Sequence, residues 1–441
     1  MAKLVLFKVK SWLSISNGFY SIFLKKVGEM KKLILISIIL VLNSTFIQAQ
    51  SFLAGAAQKS INPDKDSLYL AGGKPNRPFI DVHDSLYAKA VYISNGKDEI
   101  ILLTFDCIGL LYPQLIEIRQ QLKSKVPAIN SNHIVMTSTH THAGPDVVGI
   151  WGKDFAHTGV NEQHLQKIVN QAVQAIQEAY FSKKSVDLFY TNGNFGEDWV
   201  KNISEPNEID RSVSVLQLKD KAGKNIATLT NFACHPTIMD DATTSASADY
   251  LWGYYKTMDK QHGGINLFLQ GAIGGWIQPE DVPSSFENAD KYGSLLAKYT
   301  LELLKKPSKN NSNSISFDSK TVEFPVENQT FKMLSKAGVI KREFGTTVTS
   351  EIAYFSIGDC SFATHPGETV PALGLASKDL MKNKGAKFVM GLSQDALGYI
   401  LKPSFFKPEN KIPHSEYLTG MSIGPQTMDI ILQTLKELAA H

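Results

Sequence analysis

Cysteine is scarce in this chain: Cys107, Cys234 and Cys360 are its only three in 441 residues. They lie too far apart for a disulfide framework and show no metal-type spacing. At most one bridge is available to them, and buried thiols are the expected state. A strong excess of one charge is missing as well, with 45 Lys and Arg against 42 Asp and Glu. Residues 1–50 carry seven Lys and one Glu, so the rest of the chain is slightly acidic, at about −3. That removes the electrostatic case for a nucleic-acid partner. Beyond residue 50 no apolar run approaches the ~18 residues of a membrane span. There is no internal repeat, and no HExxH segment of the kind that sets two zinc-binding histidines on one helix face.

What remains is the composition of a globular protein with a large core: 43% hydrophobic, 20% charged and 10% aromatic residues. The length suits one large α/β domain or two of ordinary size. The segment "MKKLILISIILVLNSTFIQAQS" opens at Met30 with two lysines, continues through an apolar stretch from Leu33 to Leu42, and ends near small Ala49. That is the layout of an export signal over 30–50. Residues 1–29 read as an upstream-start extension, and the mature protein is expected outside the cytoplasm, secreted or in the cell envelope. An N-terminal membrane anchor is the competing reading.

From Ser51 onward, strands alternate with helices. Two β-rich runs within 87–109 flank Asn95-Gly96, a residue pair that favours a tight hairpin. Pro113 to Val126 and Asn161 to Tyr180 are predicted helices; in the second, Leu165, Ile168, Val169, Ala172, Ile176 and Ala179 recur at three-and-four spacing. A second hairpin is predicted to turn at Lys221, Ala222 and Gly223, and another helix over 286–305. The Asn/Ser-rich segment 306–318 reads as a polar linker dividing the chain near residue 312. Beyond it come a strand over 351–368, a helix over 371–382, a strand over 386–393 and a C-terminal helix. The predicted class is α/β, with mixed sheets, flanking helices and an active site at strand C-terminal ends. Residues 51–441 are expected to form one catalytic domain containing that linker.

Of eleven histidines, seven (His83, His133, His157, His164, His262, His414 and His441) have settings that ask for no more than packing or solvation. His140 and His142 differ. They sit two residues apart where the apolar run Ile134-Val135-Met136 gives way to Gly144-Pro145. Residues two apart on a strand share a side, so both imidazoles are expected in one cleft, where open α/β sheets bind ligands. "NFACHPTIM" repeats the arrangement at His235, and "FATHPGETVPALG" does so at His365 and Glu368. Imidazole with carboxylate is the ligand chemistry of zinc, and a catalytic zinc keeps one position open. On setting alone, a metal site and strand-end capping are both open.

Five blocks change the balance: "THTHAGP" (139–145), "NFACHPT" (231–237), "SADYLWG" (247–253), "PGETVPALG" (366–374) and "GLSQDALGYI" (391–400). In order and approximate spacing they resemble the neutral, non-lysosomal ceramidase family, over most of the chain from about residue 52. The resemblance implies a zinc-dependent amidohydrolase that splits an N-acyl lipid such as ceramide into a fatty acid and a sphingoid base. It implies one zinc per chain, with His140, His235, Glu368 and Tyr399 on the metal. His142 would contact the reacting amide, and Tyr417 would line the site. Zinc in such a site brings the pKa of water to ~7 and polarises the carbonyl. His142 and Tyr417 could then supply hydrogen bonds to the developing oxyanion or a proton to the departing amine. Asp106 and Asp249 could orient the histidines, and an ordinary solvated or capping role is an equal reading of both. The implied partner is a lipid or small amide, compatible with peripheral contact at a membrane surface; oligomeric state is not implied.

The chain also departs from the pattern. Where the family has a serine beside the metal, this sequence has Gln278 followed by Pro279, with bulky Trp276 in the same loop. Gln278 is no nucleophile, but its amide can donate a hydrogen bond, so it is counted among the catalytic candidates. Lys201-Asn202 stands where an Asn-Arg pair is expected, and Leu418-Thr419 replaces the acidic part of the pattern after Tyr417. The resemblance covers the catalytic domain alone, without the β-sandwich of longer ceramidases. Two alternatives follow: a zinc hydrolase of another amide or ester, such as a carbohydrate ester, or a non-catalytic ligand-binding member. Gln278 favours the second, whereas the presence of all four implied ligands favours an enzyme.

Overall fold

The run Ile100-Ile101-Leu102-Leu103 shows no alternation of apolar and polar residues, and its place in the fold explains why. In the computed structural model, which describes residues 25–32, 52–64 and 68–440, this run is a strand buried on both faces. It belongs to a nine-stranded mixed sheet. Its main strands are β1 (Phe52–Ser60), β2 (Tyr87–Ser94), β3 (Glu99–Phe105), β4 (Ile134–Ser138), β5 (Lys184–Asn194), β6 (Ser212–Asp220), β7 (Asn225–Phe232) and β8 (Ile265–Gln270). Their spatial order is β8-β7-β6-β5-β1-β2-β3-β4, with the short Ser308–Lys309 strand pairing β5. The pairs at the two ends, β8 with β7 and β3 with β4, are parallel, and the rest are antiparallel.

A second sheet is built from β9 (Ile315–Pro325), β10 (Thr347–Ile357), β11 (Cys360–Thr364) and β12 (Lys387–Met390). It packs face to face on the first. Leu102, Val135, Leu216 and Leu267 of the large sheet share a core with Phe355, Phe362 and Phe388 of the small one. Those three rings stack nearly parallel, with centroids 4.7 and 4.3 Å apart. Four helices close the outer face of the large sheet: α1 (Tyr112–Lys125), α2 (Glu162–Phe181), α3 (Tyr250–Gln261) and α4 (Phe286–Leu303). On the far side of the small sheet lie α5 (Gln329–Lys336), α6 (Pro371–Leu380), the one-turn α7 (Ser415–Gly420) and α8 (Thr427–Leu438). The layers therefore run helix, sheet, sheet, helix within one compact unit, Phe52–His441.

One side chain ties distant strand ends together. Gln270, the last residue of β8, donates its amide Nε2 to the carbonyls of Thr139 (2.9 Å) and Cys234 (3.0 Å). The end of β4 is thus joined to the end of β7, although the two strands are far apart in sheet order. Residues 391–392 strengthen the link. Gly391 N donates to Gln270 O at 2.9 Å, and Ser138 N donates to Leu392 O at 3.1 Å.

Both hairpins turn at the expected residues, Asn95-Gly96 and Lys221 to Gly223, with Gly223 at φ 84°. The segment 306–318 differs from its reading as a linker. Ser308–Lys309 pairs with β5 and β9 begins at Ile315, leaving only a short connection unpaired. Backbone pairing at a sheet edge does not require buried side chains, so polar composition concealed it. The expected strand over 351–368 is two, β10 and β11, because Gly358 at φ 61° turns the chain back. Strand β5 and helices α3, α5 and α7 had no place in the sequence reading. All three cysteines are buried and free, as expected. Residues 25–32 are helical. The expected export signal over 30–50 and the extension before it lie almost wholly outside the described residues. Among the described residues, no helix is long and apolar enough to cross a membrane.

Candidate metal centre

Three strand ends deliver the site: β4 leads to His140 and His142, β7 to His235, and β11 to Glu368. The two-residue spacing of His140 and His142 suggested a shared strand face, but β4 stops at Ser138. His140 instead has a left-handed backbone at φ 69°. That kink, together with Thr141 Oγ1 donating to Ser247 O at 2.8 Å, turns the two rings toward each other. Gly72 makes room behind His142: a Cβ on Gly72 would lie 2.3 Å from the His142 ring carbon.

Each imidazole is pinned from behind. His140 Nδ1 faces the carbonyl of Ile108 at 2.6 Å, and His235 Nδ1 faces that of Ile277 at 2.7 Å. A carbonyl only accepts, so both Nδ1 atoms carry the proton and both Nε2 atoms present a lone pair. His142 Nδ1 faces the Asp240 carboxylate at 2.9 Å. Burial works against ionisation of Asp240, but its bond to His142 and the charges of His142 and Arg77 outweigh it, and its pKa falls. Burial lowers the pKa of His142, against the pull of Asp240, which favours its neutral form.

The Nε2 atoms converge. Those of His140 and His142 are 3.3 Å apart, and Glu368 Oε2 lies 3.0 Å from His235 Nε2 and 3.4 Å from His140 Nε2. Burial by itself would raise the Glu368 pKa; positive charge and hydrogen-bond donors at the positions of the two Nε2 atoms reverse that and hold it well below the usual carboxylate range. Lone pairs aimed at one another at such distances repel unless a cation lies among them. At a tetrahedral zinc, with bonds of ~2.0–2.1 Å, neighbouring donors stand about 3.3–3.4 Å apart. The donors present therefore fit a metal ion. His140, His142 and His235 form a buried to half-buried triad that could hold one, and the carboxylate of Glu368 adjoins two of the three.

Tyr399 is the register partner of Glu368 in a short parallel ladder. Its hydroxyl accepts a hydrogen bond from Trp276 Nε1 at 2.6 Å. Burial and the charge of Glu368 raise its pKa far above the usual range, so it stays protonated. Tyr417, on α7, is half-exposed, with its ring 6.4 Å from that of Tyr399. Burial, then the charges of Glu368, Asp240 and Asp241, push its hydroxyl up to about 12.

The two aspartates considered for orienting histidines do other work. Asp106 accepts from Tyr87 N and the Tyr255 hydroxyl, and Asp249 accepts from the backbone of Ile238, Met239 and Tyr250. Neither bonds a histidine among the described residues. The sequence reading missed that Ile108 O, Ile277 O and Asp240 take that role. Backbone carbonyls carry no sequence signal, and Asp240 offered only its position five residues after His235. His365 also turns away from the centre, bonding Thr369 and Ser377 beneath α6.

Two chambers open on the site, and Gly73, His142, Tyr399 and Tyr417 line both. One, of about 70 Å³, is a narrow slot between apolar side chains that include Leu111, Val148, Trp151, Phe331, Phe344 and Met421. The other, of about 280 Å³, is polar and contains Gln278.

Residues 73–263 match the family model described as neutral/alkaline non-lysosomal ceramidase, N-terminal. The chain is 25% identical to neutral ceramidase B of Dictyostelium discoideum over 275 residues, which is 51% of this chain and 38% of that protein. To neutral ceramidase A of the same organism it is 24% identical over 235 residues, 47% of this chain and 32% of that one. It thus spans about a third of the length of these curated relatives. Among solved structures, the neutral ceramidase of Pseudomonas aeruginosa superposes with a TM-score of 0.74 at 18% identity, over 89% of this chain and 74% of that chain. A ceramidase complexed with C2 gives 0.73 at 16%, over 88% and 75%. These likenesses show a ceramidase-like fold.

Proposed function

We propose that this chain, whose residues 73–263 match the neutral/alkaline non-lysosomal ceramidase model, is a member of that family and a zinc-dependent hydrolase of N-acyl amides. One observation carries the reading: pinned imidazoles and a carboxylate aim their lone pairs at one point, at the mouth of an apolar slot. In this reading His140, His235 and Glu368 hold the ion, with Tyr399 beside it. When bound, such an ion supplies Lewis acidity, which polarises a carbonyl and makes water acidic enough to attack near neutral pH.

The chain's own groups do the rest. The apolar slot takes the acyl chain and excludes water from it. His142 accepts a proton at Nε2 while Asp240 steadies the resulting imidazolium, and it returns that proton to the departing amine. The protonated hydroxyl of Tyr417 donates to the amide oxygen as negative charge grows there. Tyr399, oriented by Trp276, keeps its proton beside Glu368, and the amide of Gln278 offers a donor where the family carries serine. His142 is assigned to the proton because its partner is a carboxylate, whereas His140 and His235 have neutral partners. The names of the relatives point to ceramide as the reference substrate, and the segment over 30–50 supports export to the envelope or beyond.

The test is fatty-acid release from a short-chain ceramide and from simpler N-acyl amides by purified protein of known metal content. Release abolished by a chelator and restored by zinc is the expected result. Metal-loaded protein that cleaves no amide would sink the proposal and turn the search to esters.

A further inference from the structure

The two halves of an amide bound at this centre would meet opposite surroundings. The slot on one side is narrow and lined mainly by apolar side chains, among them Leu111, Phe331, Phe344 and Met421. The chamber on the other side is larger, about 280 Å³, and its lining includes Thr237, Asp240, Gln278, Glu280 and Asp281. Three of these are carboxylates, and no lysine or arginine is among the described residues that line it. Asp281 pairs with Lys201 and Asp240 bonds His142. Glu280 is partly buried; its backbone N–H donates to Trp199 O, but its carboxylate has no hydrogen bond or ion pair among the described residues. An alkyl chain laid there would strip water from an unpaired carboxylate and return nothing for it. A hydroxyl or ammonium group would satisfy it.

We propose that the substrate is an N-acyl conjugate of a short polar amine bearing a hydroxyl or a positive charge, and that a two-chain ceramide is a poor one. The acyl chain fills the slot, and the amine lies against Glu280 and Gln278. This rests on the amide-hydrolase reading above. Hydrolysis adds water across the C–N bond: the hydroxyl joins the acyl carbon to give a carboxylic acid, and the proton goes to the departing nitrogen. The amine leaves as a cation into the acidic chamber.

The experiment holds the acyl group constant and varies the amine. Full-chain, zinc-loaded protein is given the octanoyl amides of 2-aminoethanol, of 1,2-diaminoethane and of glycine, and octanoyl ceramide. Octanoic acid release gives kcat/KM for each. The hydroxyl and ammonium amides are expected to exceed the glycine amide and the ceramide by about tenfold or more. In Glu280→Gln with wild-type metal content and Tm, the preference for the ammonium amide over the hydroxyl amide is expected to fall by about tenfold. The inference is overturned if ceramide or the glycine amide is cleaved best, or if Glu280→Gln leaves that ratio unmoved. Cleavage in the wrong order overturns the inference alone. Failure to cleave any of the four overturns amide hydrolysis and this inference with it.

Discussion

The lone pairs of three imidazoles meet inside this protein, and the atoms behind the rings set what each ring can do. Ile108 O and Ile277 O fix the rings of His140 and His235 with Nε2 toward the centre, while Asp240 gives His142 the partner of a proton carrier. His140→Ala is accordingly expected to lose most of its metal and all activity. His142→Ala should keep its metal and lose about 10²–10⁴ in kcat. Metal per chain and kcat, measured together on both variants, check the assignment, and loss of metal from His142→Ala would make His142 a ligand. A second prediction concerns Asp249, whose carboxyl burial raises to about 6 despite three backbone donors. Because the folded value lies above the unfolded one near 3.8, the native state binds the extra proton. Its contribution is full below pH ~4 and is lost as pH rises through about 6, a change of about 3 kcal/mol. Asp249→Asn should therefore flatten the pH dependence of denaturant-measured stability across that window. A wild-type curve already flat there would contradict it.

At the scale of elements, the site depends on strand ends being held together more than on any helix. Gln270 spans the ends of β4 and β7 through two carbonyls, and its replacement by Leu would leave Thr139 O and Cys234 N without these buried partners, while Cys234 O would keep only the Tyr250 hydroxyl. A loss of about 2–4 kcal/mol is expected, along with weaker metal affinity, because His140 and His235 follow from the two joined ends. Denaturant unfolding and metal titration of Gln270→Leu measure the two effects. Unchanged metal affinity would show that the site is held by other contacts. Several elements were legible from the pattern that burial left: α2 by its three-and-four apolar spacing, β3 and β4 by unbroken apolar runs; α3, which buries Tyr250, Leu251, Tyr254, Tyr255 and Met258 at helical spacing, was not. Strand β5 escaped because its exposed residues are polar and its interior holds Asn192-Gly193. Helix α7, which presents Tyr417, is a single turn that buries only Leu418, too little to leave a pattern.

For the whole unit, the donors come from both sheets: three imidazoles from the large one and Glu368 from the end of the small one. A bound ion then stabilises the joint between the layers as well as the site. At an ion concentration 100 times its dissociation constant, binding adds about 2.7 kcal/mol. Chelation should lower Tm by roughly 3 °C for a unit of this size. Because the core between the sheets is shared, the fall should appear in one cooperative transition. A chelator that leaves Tm unmoved in protein of proven zinc content would separate the metal from folding.

The sequence by itself determined the class of fold, both hairpin turns and the main helices, and its resemblance to the ceramidase family singled out His140, His235, Glu368 and Tyr399. Periodicity and turn chemistry are local, and the five blocks lie along the chain in readable order. Only the tertiary structure decided which groups orient the rings, that His140 reaches its place through a left-handed kink, and that Asp106 and Asp249 serve the backbone. It also decided that one face of the site is an apolar slot and the other an acidic chamber. These depend on carbonyls, on φ angles and on side chains from segments more than a hundred residues apart. A pattern along the chain carries no record of such approaches, because they are fixed by how the layers pack.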